Sequence, residues 1–276
     1  SFTAPVYSVD LNSALSSSQD IYLPLFSNSD TPAWPGNLKK FKLNDAGTIV
    51  DANGVAVIND LGQVKPTAVD FWMPQGAVLT NDSNPTTSGG FANNIEPSKR
   101  KLLTDNGSSL IGLNSNNVSK LDLGNSSMSN DHKDKLLNYI QGYESDGSTP
   151  RYAMGDILHS KPTLITYGEK QVLYFGTNEG FLHAIDAANA SDGGGVEKFA
   201  YMPKNLLDNI DGIYTNKVLP AGGLSRIYGV DGSIVAHIED NNNNGKVDVS
   251  DGDQATLIFG LRRGGNAYYA LDVTDP

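Results

Sequence analysis

The sequence of 276 residues has no cysteine and few charged side chains. Without cysteine, the chain cannot form a disulfide framework, a thiolate metal site, a cysteine nucleophile or a thiol redox switch. Charged residues make up 18% of the chain, against about 25% in an average domain.

Basic residues are scarcer than acidic ones. The chain has 20 Lys and Arg against 31 Asp and Glu, which gives a formal charge of −11. Nucleic acids and anionic membrane surfaces bind clusters of Lys and Arg, so we expect no nucleic-acid partner. No apolar run approaches the roughly 18 residues of a membrane-spanning helix, so we expect no membrane insertion.

The N-terminal residues 1–7 lack the basic and apolar regions of a signal peptide. Two interpretations follow from this start of the sequence. The chain is either an intracellular protein or an excised piece of a longer secreted protein.

Glycine, asparagine and serine take the place of the missing charges, with 29 glycines in the chain. Turn formers at this density favour many short strands over helices. Short apolar segments predict early strands at residues 4–9, 21–26 and 37–43. Residues 76–130 predict long loops with at most short ordered pieces. One amphipathic helix is predicted at residues 131–143, with Asp131 near its start as a candidate cap.

From residue 157 onward, the pattern changes to closely spaced strands separated by glycine-containing turns. The predicted strands are residues 162–167, 171–177, 181–187 and 198–202. Four antiparallel strands in roughly 42 residues is the size of one β-propeller blade. The unit recurs, because residues 172–176 resemble 256–260 and residues 183–187 resemble 269–273 in the same order. Residues 233–238 take the place of the first strand in the second unit.

The repeat predicts an all-β chain in two parts. Residues 1–150 form a leading segment with strands, long loops and one helix, and residues 151–276 form the first propeller blades. A propeller needs at least about four blades to close, so these residues cannot form a complete ring. An open antiparallel sandwich with a chance repeat is the alternative.

Residues 240–251 have the spacing of an EF-hand-type calcium loop. Counted from Asp240, oxygen-bearing side chains occupy positions 1, 3, 5 and 9, glycine occupies position 6, and a carboxylate occupies position 12. The candidate ligands are Asp240, Asn242, Asn244, the backbone carbonyl of Lys246, and Asp248, with water or Asp251 completing the shell. A loop that turns around a hard cation points every second side chain inward, and glycine permits the sharp turn.

The loop departs from an EF-hand in two ways. It has no Glu at position 12, and its flanks predict strands instead of helices. With two or three carboxylates and two amides, we expect weak binding of Ca²⁺, with a dissociation constant on the order of 10⁻⁴ to 10⁻³ M. A polar hairpin turn that binds nothing is the alternative.

Enzyme signatures are absent from the sequence. It has no Gly-x-Ser-x-Gly elbow, no phosphate-binding glycine loop and no His-Glu-x-x-His. Asp186 and Asp272 end equivalent strands and are predicted to cap turns, with an acid–base pair as the alternative. The histidines show no metal spacing, and we expect each to be satisfied in the core or exposed; they are His132, His159, His183 and His237. We therefore expect no catalytic activity.

Several of these segments resemble the PilY/PilC family of type IV pilus tip-associated adhesins and biogenesis factors. The segments that carry the resemblance are residues 1–5, 34–39, 47–54, 155–162, 172–184, 198–203 and 264–276. It is weakest over residues 76–130. The blade repeat by itself is shared with quinoprotein-type propellers.

The resemblance implies the first part of a C-terminal pilus-biogenesis domain from a large secreted bacterial protein. This domain is a modified seven-bladed β-propeller, with long loops and a short helix before the first full blade. The family's calcium-loop positions 1, 3, 5, 7 and 9 match Asp240, Asn242, Asn244, Lys246 and Asp248.

The family's function is also implied. Calcium in this loop is tied to pilus extension and retraction, and so to twitching motility and attachment. The implied partners are minor pilins and a host-cell or abiotic surface. The implied location is the pilus tip on the bacterial cell surface, with outer-membrane association as a variant.

Two other functions remain open. A quinoprotein-like dehydrogenase propeller needs a cofactor funnel and usually has neighbouring cysteines, which are missing here. A dockerin-like scaffold module also fits residues 240–251. It requires a helix next, whereas residues 254–260 predict a strand.

Overall fold

A computed structural model of the chain describes residues 6–7, 19–215 and 226–276. The strands of these residues form three open sheets with no closed barrel. The all-β prediction is consistent with this architecture. The early segment at residues 1–5 lies outside the described residues, and so does most of the strand predicted at residues 4–9.

The first sheet is a four-stranded antiparallel meander in chain order. Its strands are β1 (Val6–Tyr7), β2 (Asp20–Phe26), β3 (Gly36–Leu43) and β4 (Ile49–Val50). The predictions at residues 21–26 and 37–43 are confirmed within one residue. The sequence did not indicate that the lysines of β3 are buried. Lys40 Nζ donates to the carbonyl of Ala187 at 2.7 Å and pairs with Asp20 at 2.9 Å.

The second sheet has six strands in the order β6-β5-β10-β9-β8-β7. Their bounds are β5 (Leu102–Asp105), β6 (Leu110–Gly112), β7 (Thr163–Tyr167), β8 (Lys170–Gly176), β9 (Leu182–Asp186) and β10 (Glu197–Tyr201). β7 to β10 form the predicted four-stranded antiparallel unit. β5 pairs in parallel with β10, which extends this unit with residues predicted to be mainly loop.

The third sheet is an antiparallel meander of three strands, β11 (Ile234–Glu239), β12 (Gln254–Gly260) and β13 (Tyr268–Asp272). Burial alternates along β12, where Ala255, Leu257 and Phe259 are buried and Gln254 and Ile258 are exposed. This period of two is typical of a sheet with one face on the core. The strands correspond in order to β7, β8 and β9, as the repeat predicts.

Helices are few among the described residues. The main helix is α1 (Asn130–Gln141), and a shorter helix, α2 (Ile210–Thr215), follows the second sheet. The side chain of Ser129 caps α1 by accepting the backbone N–H of His132, so the predicted cap at Asp131 is wrong. Neither helix is long and apolar enough to cross a bilayer. Short 3₁₀ helices occupy Phe91–Asn94, Pro97–Lys99, Ala190–Asp192, Lys204–Asn209, Val249–Asp251 and Arg262–Gly264.

One hydrophobic core joins α1 to the second and third sheets. It includes Leu136 of α1, Tyr174 and Phe199 of the second sheet, and Leu257 and Phe259 of the third. Burial of apolar side chains across a sheet–sheet interface is the main force that holds such layers together. The base of the predicted calcium loop is therefore attached to a packed face.

Candidate metal centre

The candidate calcium loop connects β11 and β12. Glu239 of β11 lies opposite Gln254 of β12, so residues 240–253 leave and re-enter the third sheet at one point. The structure thus places Asp240, Asn242, Asn244, Lys246 and Asp248 on one hairpin loop, as predicted.

The first half of the loop is organised by side chains that accept backbone amides. Asp240 accepts the N–H of Asn244 at 3.2 Å on Oδ1 and that of Gly245 at 2.7 Å on Oδ2. Asn242 Oδ1 accepts the N–H of Asn244 at 3.0 Å, and Asn244 Oδ1 accepts the N–H of Lys246 at 2.8 Å. The two asparagine contacts, each to the residue two positions ahead, are Asx turns, which curl the backbone locally. Each accepting oxygen keeps a second lone pair.

The sharp turn falls at the expected glycine. Gly245 has φ of 77°, and Asn243 has φ of 56°. Positive φ is readily available to glycine and is tolerated by asparagine better than by most residues. The sequence pattern at positions 4 and 6 of the loop therefore matches its backbone.

The second half of the loop is organised by Asp248. Its Oδ1 accepts both the hydroxyl and the backbone N–H of Ser250, at 2.7 and 2.9 Å. These two bonds, the hydroxyl first, lower the pKa of the Asp248 carboxyl below its ordinary value. A lower pKa favours the ionised form, which is the form in which a carboxylate binds a cation.

The candidate for position 12 lies next to the candidate for position 3. Asn242 Nδ2 donates to Asp251 Oδ2 at 2.6 Å. The two ends of the twelve-residue pattern therefore come together, and a third carboxylate stands beside the amide ligands.

Lys246 takes part in two different ways. Its backbone carbonyl is the predicted ligand, whereas its Nζ forms an ion pair with Glu169 in the turn between β7 and β8, at 2.5 Å. This contact lowers the pKa of the Glu169 carboxyl. The lysine charge is thereby directed to the neighbouring sheet.

The loop is anchored to the second sheet by Val247, a contact that the sequence did not reveal. The N–H of Val247 donates to the carbonyl of Thr166 at 2.8 Å, and Val247 forms a parallel bridge with Tyr167 of β7. The side chain of Val247 is 3% exposed and belongs to the shared core. The segment 240–251 has two apolar residues, Val247 and Val249, and Val249 is exposed, so the sequence alone could not single out Val247.

The ligand set is rich in oxygen and poor in charge. Among residues 19–215 and 226–276, no three His, Cys, Asp or Glu side chains are grouped as a metal site. The candidate set instead combines two carboxylates, Asp240 and Asp248, with amide and carbonyl oxygens. All are hard donors of the kind that Ca²⁺ prefers, so the residues fit this cation with a low charge count.

The histidines pair with carboxylates. The pairs are His132–Asp211 at 2.9 Å, His159–Asp231 at 2.8 Å, His183–Glu197 at 2.9 Å and His237–Glu239 at 3.6 Å. His183 is fully buried and satisfied, and His237 is exposed, as expected. Asp186 and Asp272 each accept a backbone N–H two residues ahead, so the prediction that they cap turns is confirmed.

Comparison with known proteins gives one relative. The chain is 29% identical over 179 aligned positions to a protein of Xylella fastidiosa (strain Temecula1 / ATCC 700964) named "Type IV pilus biogenesis factor PilY1 homolog". The alignment covers 51% of this chain and 13% of the relative. No protein-family model and no solved structure matches the chain. This distant, partial similarity supports a relation to the PilY1 family.

Proposed function

We propose that this chain is part of a calcium-binding type IV pilus biogenesis factor and tip-associated adhesin. The protein regulates pilus extension and retraction, and through them twitching motility and attachment to host cells or abiotic surfaces. It acts at the pilus tip on the cell surface, with minor pilins as partners and without enzymatic activity. The pilus role is supported by the name of the partial relative.

The calcium loop is the observation that carries this proposal. Its side chains at positions 1, 3 and 5 each accept a backbone amide of the loop, glycine provides the turn at position 6, and Asp248 accepts the hydroxyl of Ser250. The proposed ligands are Asp240, Asn242, Asn244, the carbonyl of Lys246, and Asp248. Bound calcium supplies positive charge that offsets the two carboxylates, and the chain's oxygens orient it.

The proposed fold is the first part of a modified seven-bladed β-propeller. Residues 1–150 lead into it, and residues 151–276 supply its first blades. Two consecutive meanders of matching strand order, β7–β9 and β11–β13, support the repeat.

Calorimetric titration of Ca²⁺ into the purified chain tests the metal site. We expect a dissociation constant on the order of 10⁻⁴ to 10⁻³ M, because few carboxylates contribute. Asp248→Ala removes one of two charged ligands and should abolish the heat.

Asp146→Ala is the matched control for this titration. Asp146 is an exposed aspartate, and bonds from Thr149 and Ser148 likewise lower the pKa of its carboxyl. It lies outside the loop and should leave binding unchanged. Equal heats in wild type and Asp248→Ala would contradict the site.

The pilus role needs a test in cells. A strain that lacks the gene is complemented with wild type, Asp248→Ala or Asp146→Ala, and surface pili and twitching are scored. We expect wild type and Asp146→Ala to restore both, and Asp248→Ala to change the amount of pili or the motility. Normal pili and twitching in the deletion strain itself would contradict the pilus role.

A further inference from the structure

Asp253, which follows the candidate calcium loop, forms hydrogen bonds with the backbone near both ends of the loop. Its Oδ1 accepts the backbone N–H of Asn241 at 2.9 Å, and its Oδ2 accepts the backbone N–H of Asp248 at 3.0 Å. Asn241 follows the first candidate ligand, and Asp248 is the last of the five. One carboxylate therefore holds the backbone at both ends of the ligand run.

These hydrogen bonds are buried, and a hydrogen bond is stronger away from water. Asp253 is 2% exposed, and a polar group so far from water is tolerated when its oxygens accept hydrogen bonds. Both oxygens are engaged by backbone amides, so Asp253 is oriented toward the loop backbone and is not one of the exposed ligand groups. Gly252, with φ of 78°, sets the turn that brings it there.

The loop has a further fastening at the same end. Asn241 Nδ2 donates to the carbonyls of Asp251 and Gly252, at 3.3 and 2.9 Å. The opposite side is fixed by the bond from Val247 to the second sheet. The backbone of residues 241 and 247–252 is thus held by the protein itself.

We infer that Asp253 is a positioning residue of the proposed calcium loop, which fixes Asp240 and Asp248 at the spacing of a cation site without touching the ion. The inference rests on the proposed calcium site. Binding to a loop that is already shaped costs less ordering free energy than binding to a loose one. Groups that orient metal ligands typically contribute about 10- to 100-fold to affinity.

Asp253→Asn tests this role with a change of one atom. The amide can accept one of the two backbone N–H groups, but its NH₂ faces the other donor. We expect the calcium dissociation constant, measured by calorimetry, to rise about tenfold or more. The backbone amides of Asn241 and Asp248 should exchange hydrogen faster in calcium-free buffer.

Asp51→Asn is the matched control, because Asp51 has the same chemistry elsewhere. Asp51 is 3% exposed and accepts the backbone N–H groups of Asn53, Val55 and Val69, at 2.9, 2.9 and 3.2 Å. Its substitution should lower stability in a similar way. Calcium affinity should stay at the wild-type value, because Asp51 lies next to β4 in the first sheet.

The outcomes separate this inference from the proposed function. Equal calcium affinities in wild type and Asp253→Asn would overturn the inference and leave the calcium site standing. An equal loss in Asp51→Asn would also overturn it, since general destabilisation would then explain the effect. If titration of Ca²⁺ into the wild-type chain released no heat, the proposed calcium site itself would be wrong. If Asp253→Asn does not fold, rapid exchange at Asn241 and Asp248 in calcium-free wild type would still overturn the inference.

Discussion

Two groups of carboxylates in this molecule have opposite surroundings. One is Glu197 in the second sheet, and the other is the pair Asp240 and Asp248 in the β11–β12 loop. The Glu197 side chain is 5% exposed and lies between Arg100 and His183. The loop carboxylates are accessible and bonded to backbone amides and a serine. Among the described residues, no Lys or Arg forms an ion pair with either loop carboxylate.

The Glu197 network is closed. Arg100 donates from Nε to Glu197 Oε2 at 2.6 Å and from Nη2 to Oε1 at 3.0 Å, and its Nη1 reaches the carbonyl of Ile140 in α1 at 2.8 Å. His183 Nδ1 donates to Glu197 Oε1 at 2.9 Å. Every charge in this network has a partner within the protein, so its role is to join α1 to the second sheet.

The difference between the regions lies in where the balancing charge comes from. Arg100 neutralises Glu197 within the protein, whereas among the described residues the loop carboxylates have no Lys or Arg partner. A buried pair resists change because breaking it exposes an unpaired charge to a low dielectric. An exposed cluster of oxygens responds to the ions around it.

Arg100→Ala should produce the largest effect. It leaves Glu197 buried with His183 as its remaining side-chain partner, and loss of one partner from a buried ion pair typically costs about 3–5 kcal/mol. Urea unfolding followed by circular dichroism measures the free energy of unfolding. Lys135→Ala is the control, because Lys135 pairs with Asp131 on the surface of α1, and its unfolding midpoint should not move.

If Arg100→Ala and Lys135→Ala unfold at the same urea concentration, the contrast between closed and open carboxylates is wrong. Calcium affinity is the cross-check. A folded Arg100→Ala chain should keep the wild-type affinity, since in the described part of the chain no hydrogen bond or ion pair joins the network to residues 240–253.

Lowering the pH should also weaken the Glu197 network, with a smaller loss of unfolding free energy than Arg100→Ala causes. Burial alone would raise the pKa of Glu197, but Arg100 and His183 outweigh it and lower the pKa to about 2. A carboxyl with a lower pKa in the folded state adds stability above its unfolded value, and this contribution is lost as the pH falls toward 2. The difference in unfolding free energy between wild type and Glu197→Gln, followed from pH 6 to pH 2, should shrink as the pH falls. A constant difference would show that the partners of Glu197 do not lower the pKa of its carboxyl.

Strands and turns were predictable from the sequence because their signals are local. Alternating apolar residues and glycine-containing turns placed β2, β3 and β7 to β13 within about one to two residues, since side-chain period depends on backbone geometry alone. The calcium-loop pattern is local for the same reason. Its side-chain to backbone hydrogen bonds from Asp240, Asn242 and Asn244 join residues two to five apart.

Contacts between distant segments were not predictable. The parallel pairing of β5 with β10 joins Leu102 to Ala200, and a short strand in a polar region carries no mark of its partner. The contacts of Asp253 and Val247 were missed because they depend on which residues are buried, and the sequence does not show this. The burial of Lys39 and Lys40 in β3 was missed for a related reason, since lysine is almost never fully buried without a partner.

Amide exchange within the loop should show the finest difference between closed and open regions. When EGTA removes calcium, the backbone of residues 242–246 should exchange faster, because these ligand turns lose the cation that holds them together. Asn241 and Asp248 should change little, since Asp253 holds both N–H groups without the metal, and Glu197 and its neighbours should not change at all. Hydrogen exchange resolved to single amides by mass spectrometry measures all three. An unchanged exchange rate at residues 242–246 would contradict calcium binding. Equal loosening from Asn241 to Asp248 would instead show that the cation, and not the buried carboxylate, shapes the loop.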